Sequence, residues 1–143
     1  MEQSRKHLKM SSIVVLVFSL ATIFDLIAGL IDLNDATIPE GAPNNILLIT
    51  KIVLMVIWGI LLLPQIYIGF KGIKIANNPD SSKIHIIVSI IVFIFTALSL
   101  VSPAISLIKG SSNESILTIL RIAVEASVYY DYIVAARAVA NGK

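Results

Sequence analysis

Four uninterrupted apolar runs, at 13–31, 46–70, 84–108 and 116–138, govern what this chain can become. About 20 residues carry a helix across ~30 Å of hydrocarbon, and each run is about that long. The runs are continuous where a membrane strand alternates, and an open sheet would leave backbone N–H and C=O groups facing lipid without partners. Composition agrees with the pattern. Hydrophobic residues make up 57% of the 143 positions and charged residues 14%, against about 25% charged in ordinary soluble domains. So few charges cannot coat the surface a chain of this size leaves exposed. The expectation is an all-α integral membrane protein, with residues 1–143 forming a single four-transmembrane-helix bundle of up-down-up-down topology.

Turn chemistry separates the runs. The breaks read Asp32-Leu33-Asn34-Asp35, then Pro39 through Asn45, then Asn77-Asn78-Pro79-Asp80-Ser81-Ser82, and Gly110-Ser111-Ser112-Asn113-Glu114. Ser82 and either Asn113 or Ser115 suit helix N-caps. The basic leader with Arg5, Lys6 and Lys9 invites comparison with a signal peptide, but the first run is longer than a signal core, contains Asp25 and lacks a suitably placed cleavage site. It is read as a retained span.

Lys and Arg set the orientation. The leader, the second connection (Lys71, Lys74, Lys83) and the tail (Arg137, Lys143) hold eight basic residues, whereas the first connection has none and the third only Lys109. By the positive-inside rule both termini face the cytoplasm, and the cell membrane is the expected location. Tyr67, Tyr129, Tyr130 and Tyr132 then fall toward the inner interface as an aromatic belt. The formal charge of +2 marks topology, with no free-standing basic stripe for nucleic acid. A 70-residue offset lays Ile46-Leu47 on Ile116-Leu117 and Lys51-Ile52 on Arg121-Ile122, a match that isoleucine-rich helices produce easily by chance.

Charge inside a span is costly, about 2.5–3.5 kcal/mol at the helix centre, so retained charges face one another or a wet cavity. Asp25, Lys51, Arg121 and Glu125 are the clear cases. Counting 1.5 Å per residue puts Asp25, Lys51 and Arg121 at one level, ~8–9 Å below the outer boundary, with Glu125 one turn deeper. Two acids and two bases balance, and the simplest pairing joins Asp25 to Lys51 and Arg121 to Glu125. His85, Ser89, Thr96, Ser99, Pro103 and Ser106 form a polar stripe on the third run, either for close helix packing or as the wall of a hydrated crevice. Trp58 shares a helix face with Lys51 and Gln65 and suits a constriction of that crevice. Asp25, Lys51, Arg121, Glu125, Ser99, Thr96 and Trp58 are therefore the candidate ligand- or ion-binding site, or a buried ion-pair cluster. Pro64 and Pro103 are candidate kinks. Gly29, Gly59 and Gly69 allow close approach without a GxxxG pair.

Cysteine is absent, which removes disulfides, thiolate metal sites and thiol redox chemistry. His7 and His85 are placed at or near solvated ends, too shallow to activate deep serines, and no catalytic or phosphate-binding motif is present. No catalytic residue, cofactor or metal is expected. In helix count the chain is similar to the small multidrug resistance transporters, but Asp25 sits too far along its span to match their first-helix acid. Its basic bias separates it from dual-topology fluoride channels, and it lacks the cysteines of vitamin K epoxide reductases. The leading expectation is a transporter- or channel-type protein for a small solute or ion. The alternative is a non-enzymatic accessory or scaffold subunit whose charges serve helix packing. Expected partners are the lipid bilayer and either further copies of the chain or a larger membrane protein, and no nucleic acid.

Overall fold

A computed structural model of the chain describes residues 2–35, 45–78, 83–110 and 113–142, all but their ends helical. The elements are α1 (Glu2–Asp35), α2 (Ile46–Asn77), α3 (Ile84–Ser99), α4 (Val101–Ile108) and α5 (Asn113–Ala140). Consecutive α3 and α4 make one apolar segment, so the bundle has four helices. Three of them, over Glu2–Asp32, Ile46–Asn77 and Ile84–Ile108, are long and apolar enough to cross a membrane. The fourth carries Arg121, Glu125, Asp131 and Arg137 and is correspondingly less apolar. Ser82 and the side chain of Ser115 lie outside the described residues, as does most of each connection. Lys83 precedes α3 without a side-chain cap, and Asn113 is the first residue of α5.

Pro103 accounts for the interruption between α3 and α4. A proline has no N–H for the carbonyl four residues back, which here belongs to Ser99, and its ring crowds that carbonyl. The helix breaks at Leu100, whose N–H donates to Ala97 O at 3.2 Å in place of a full α-helical bond. Pro64 lies inside α2, which continues past it.

The helices form a ring in which α1 packs on α2 and α5, and α3 packs on α2 and α5. Packing is uneven along their length. The buried residues run from Leu8 to Thr22 in α1, Gln65 to Ala76 in α2, His85 to Val92 in α3 and Tyr129 to Val139 in α5. Among the described residues, none beyond Thr22, before Gln65, beyond Val92 or before Tyr129 in those elements is buried. Contacts tie this tight end together. Arg5 Nε donates to Ala76 O at 2.7 Å and its Nη2 to Asn77 O at 2.6 Å, satisfying carbonyls left open at the end of α2. Tyr132 Oη donates to Ile68 O at 3.0 Å. The start of α1, the end of α2, the start of α3 and the end of α5 thus converge.

This distribution has a physical cause. The helices overrun their apolar runs: α1 begins at Glu2 and α2 continues to Asn77. Leu8, Ile75 and Val139 lie past the ends of those runs, where water favours burying apolar side chains together, whereas most of the other buried residues lie within them. Within lipid no such force acts between helices, and association depends on close packing of small residues. Gly69 at the end of the second run and Gly72 just past it allow such close packing. A Cβ on Gly69 would lie 2.6 Å from the Leu16 side chain, and one on Gly72 would strike the Ser12 hydroxyl and approach the Tyr132 ring to 2.6 Å. Gly59 has nothing within 4 Å of such an atom. Gly72 was not among the glycines singled out by sequence, and it makes the closer approach.

Candidate functional site

Asp25 and Arg121 form an ion pair between α1 and α5, with Arg121 Nη2 donating to Asp25 Oδ2. Their meeting agrees with the common depth computed from helical rise. The pairing expected from sequence joins Asp25 to Lys51 and Arg121 to Glu125; instead Arg121 reaches across to Asp25 on α1, and Glu125 accepts a hydrogen bond from Tyr129 Oη at 3.2 Å, one turn along α5. Glu125 remains within Coulombic range of both Arg121 and Asp25. The reason is azimuth. Equal spacing in sequence fixes depth, whereas the facing helix decides which of several neighbours a side chain meets.

The pair is not buried in the single chain. The Arg121 and Asp25 side chains are 49% and 41% exposed, and Lys51, Trp58 and Glu125 are half-buried. A fully buried quartet is therefore not what the isolated bundle provides. Thr96 is half-buried and Ser99 exposed. Ser99 Oγ donates to Thr96 O at 2.6 Å, and Ser106 Oγ to Ser102 O at 3.2 Å. These hydroxyls answer to their own helix. Only the start of the α3 stripe, His85, Ser89 and Val92, enters the core.

Three further placements differ from expectation. His85 is 1% exposed, deep between helices instead of at a solvated end, and its ring meets Tyr132 edge-on with centroids 6.3 Å apart. The start of α3 packs on α2 and α5, and His85 and Ile86 lie on the side turned to them, while Ile84 and Ile87 stay exposed at 61% and 56%. Tyr129 and Tyr132, at 1% and 0% exposure, belong to the core and not to an interfacial belt. Tyr67 and Tyr130 are exposed at 40% and 58%. Positions 125, 129, 132 and 136 share one face of α5, and that face points inward. Asp131 lines a shallow groove with His7, Met10, Ser11, Val14 and Val128, on the side away from that face.

The tight end is also polar. Ser12, Ser19, Thr22, Gln65, His85 and Ser89 are all buried. Their hydroxyls bond back to their own helices, Ser12 to Leu8 O at 2.6 Å, Ser19 to Val15 O at 2.9 Å, Thr22 to Phe18 O at 3.0 Å and Ser89 to Ile86 O at 2.8 Å. Gln65 Oε1 has no hydrogen-bond partner among the described residues. Sequence reading passed over Gln65 as a face-mate of Trp58. Its position one residue after Pro64 and level with the α1 hydroxyls was the available signal.

No group of three or more His, Asp and Glu able to hold a metal ion is found among the described residues. The chain matches no family model, no curated protein and no solved structure.

Proposed function

We propose that the protein is a small transporter- or channel-type membrane protein for an ion or small solute, acting in the cell membrane as a homo-oligomer. Its helices run up-down-up-down with both termini cytoplasmic. Arg5 against the end of α2, Ser12 against Gly72 and His85 against Tyr132 support that arrangement, because each joins the start of one helix to the far part of another. The basic residues of the leader, second connection and tail belong to the same end, which supports the inward orientation.

The observation that carries the functional reading is the contrast between the two ends. Buried residues are confined to the end holding the termini, while the other half keeps an α1–α5 ion pair open to its surroundings. A bundle closed at one end and open at the other, with charge on the open side, suits a site approached from one face of the membrane. The solute would meet Asp25, Arg121, Lys51 and Glu125 first. Flux measured in liposomes of purified protein tests this: Lys51→Met is expected to change flux while the protein stays folded. Absence of flux for inorganic cations, anions and small organic solutes would contradict it.

A second reading rests on the half-exposed ion pair itself. Charges at membrane depth need cover, and a larger membrane protein laid against α1 and α5 supplies it, which makes the chain an accessory subunit. Affinity purification from native membranes separates the two. A stoichiometric larger partner supports the accessory role, and an oligomer of this chain alone supports transport.

A further inference from the structure

Charge open to the surroundings is confined to one side of the bundle. Among the described residues of the four apolar runs, the exposed charged positions, Arg121, Asp131 and Arg137, all lie on α5. Exposed positions in the runs of α2, α3 and α4 carry no formal charge, so lipid can cover those faces. Arg137 sits at the end of its run, where a long side chain reaches the interface. Arg121 is instead held sideways by Asp25 of α1, and both side chains stay about half exposed. An ion pair left open at membrane depth needs polar cover from outside the single chain.

The pair belongs to a seam. Leu117, Arg121, Val124, Val128 and Asp131 recur at spacings of four and three and so form one stripe of α5. Arg121 meets α1 at Asp25, while Val128 and Asp131 share a groove with His7 and Val14 of α1, so the stripe follows the line where α1 and α5 pack. Copies inserted in one orientation are related by axes along the membrane normal, and such an axis keeps every residue at its own depth. Contact between copies therefore needs an acid and a base at one level, and Asp25 and Arg121, already joined, are at one level. A two-fold axis along the seam sets α1 of each copy against α5 of the other. Asp25 then meets the partner's Arg121, and Arg121 the partner's Asp25, in a ring of four alternating charges. A guanidinium carries five N–H donors and a carboxylate accepts about four hydrogen bonds, so one contact within the chain leaves capacity for a second. Glu125, within range of Arg121, is bonded by Tyr129 inside its own chain.

We propose that two copies of the chain pack through the α1–α5 seam about a two-fold axis along the membrane normal, with each Arg121 shared between its own Asp25 and the partner's Asp25. The inference rests on the homo-oligomer and the common orientation proposed above, and it adds the face and the number: an isologous contact closes at two copies. Each half-exposed pair is covered by its like.

The test uses the full-length chain in its native membrane, with differently tagged copies expressed together. Ala21 and Val124 each lie one turn from the ion pair on their helices. Ala21→Cys in one copy and Val124→Cys in the other are expected to form a covalent dimer on oxidation with copper phenanthroline, the chain having no other cysteine. Ile94→Cys, at an exposed position of α3, is expected to give none with Val124→Cys. Charge supplies an independent readout. Asp25→Arg repels Arg121 and Arg121→Asp repels Asp25 within their own chains, yet the two variants complement each other across the seam. Co-purification of one with the other is expected to exceed that of either with itself at least tenfold. Equal recovery of all combinations would overturn the proposal, as would loss of the first cross-link or its replacement by one to a larger protein. A dimer joined through Ile94→Cys keeps the oligomer and overturns this seam. Should either charge variant fail to accumulate, the cysteine pairs decide. Cross-linking through the seam without flux refutes transport and leaves the contact standing, and flux from a protein that stays monomeric does the reverse.

Discussion

Replacing Gly72 by alanine should destabilise the protein, although the same change usually strengthens a helix. In a helix interior Gly→Ala gains about 1 kcal/mol from backbone entropy. At Gly72 the new methyl group strikes the Ser12 hydroxyl and lies within 2.6 Å of the Tyr132 ring and 2.9 Å of its hydroxyl oxygen. Overpacking of this kind costs about 1–3 kcal/mol. Moving Tyr132 aside also breaks its bond to Ile68 O, a further loss of about 0.5–1.5 kcal/mol. The net expectation is a loss of about 2 kcal/mol, close to thirtyfold in the folded-to-unfolded ratio. Gly59→Ala is the matched control, since its methyl meets nothing within 4 Å. Reversible unfolding in mixed micelles by titration with sodium dodecyl sulfate, read from the single tryptophan, Trp58, gives both values. Gly72→Ala as stable as the parent, or Gly59→Ala equally damaged, would refute the packing assigned to the tight end.

Three other perturbations follow. Asp25→Asn should destabilise by about 1–2 kcal/mol, less than the 2.5–3.5 kcal/mol of a central charge because the pair is half-exposed, and Asp25→Arg with Arg121→Asp should restore stability; failure of the swap would show that the contact is incidental. Arg5→Gln should fray the end of α2, seen as faster amide exchange over residues 74–78, and unchanged exchange there would deny Arg5 its capping role. Tyr132→Phe should cost about 0.5–1.5 kcal/mol in the same micelle titration, whereas a cost near zero would mean that Ile68 O gains nothing from the hydroxyl.

Depth was legible in the sequence and azimuth was not. The four runs, the break ahead of Pro103 and the common level of Asp25 and Arg121 all follow from rise per residue and backbone chemistry. Pairing does not, because Asp25, Lys51, Arg121 and Glu125 lie within two turns in depth and only the rotation of α1 against α5 selects Arg121 for Asp25. Tyr129 and Tyr132 looked interfacial for the same reason: an aromatic belt is inferred from depth alone, yet these two residues face inward while Tyr67 and Tyr130 face out. The helical overrun at the tight end was hidden by polar flanks. Residues Glu2 to Ser12 read as a leader by hydropathy, although Leu8 and Ser12 both pack inward. Gly72 and Ala76, four apart on α2, carried a small-residue signal for this packing, and Ser12 meets Gly72 across it.

Because the chain has no cysteine, single cysteines report topology against a silent background. Lys74→Cys and Gly110→Cys, placed in the end of α2 and just after α4, are labelled with a membrane-impermeant maleimide in right-side-out and inverted vesicles. The account predicts Gly110→Cys labelled only from outside and Lys74→Cys only from inside. Labelling of both from one side, or recovery of the protein as a monomer in buffer without detergent, would contradict a four-helix bundle spanning the membrane.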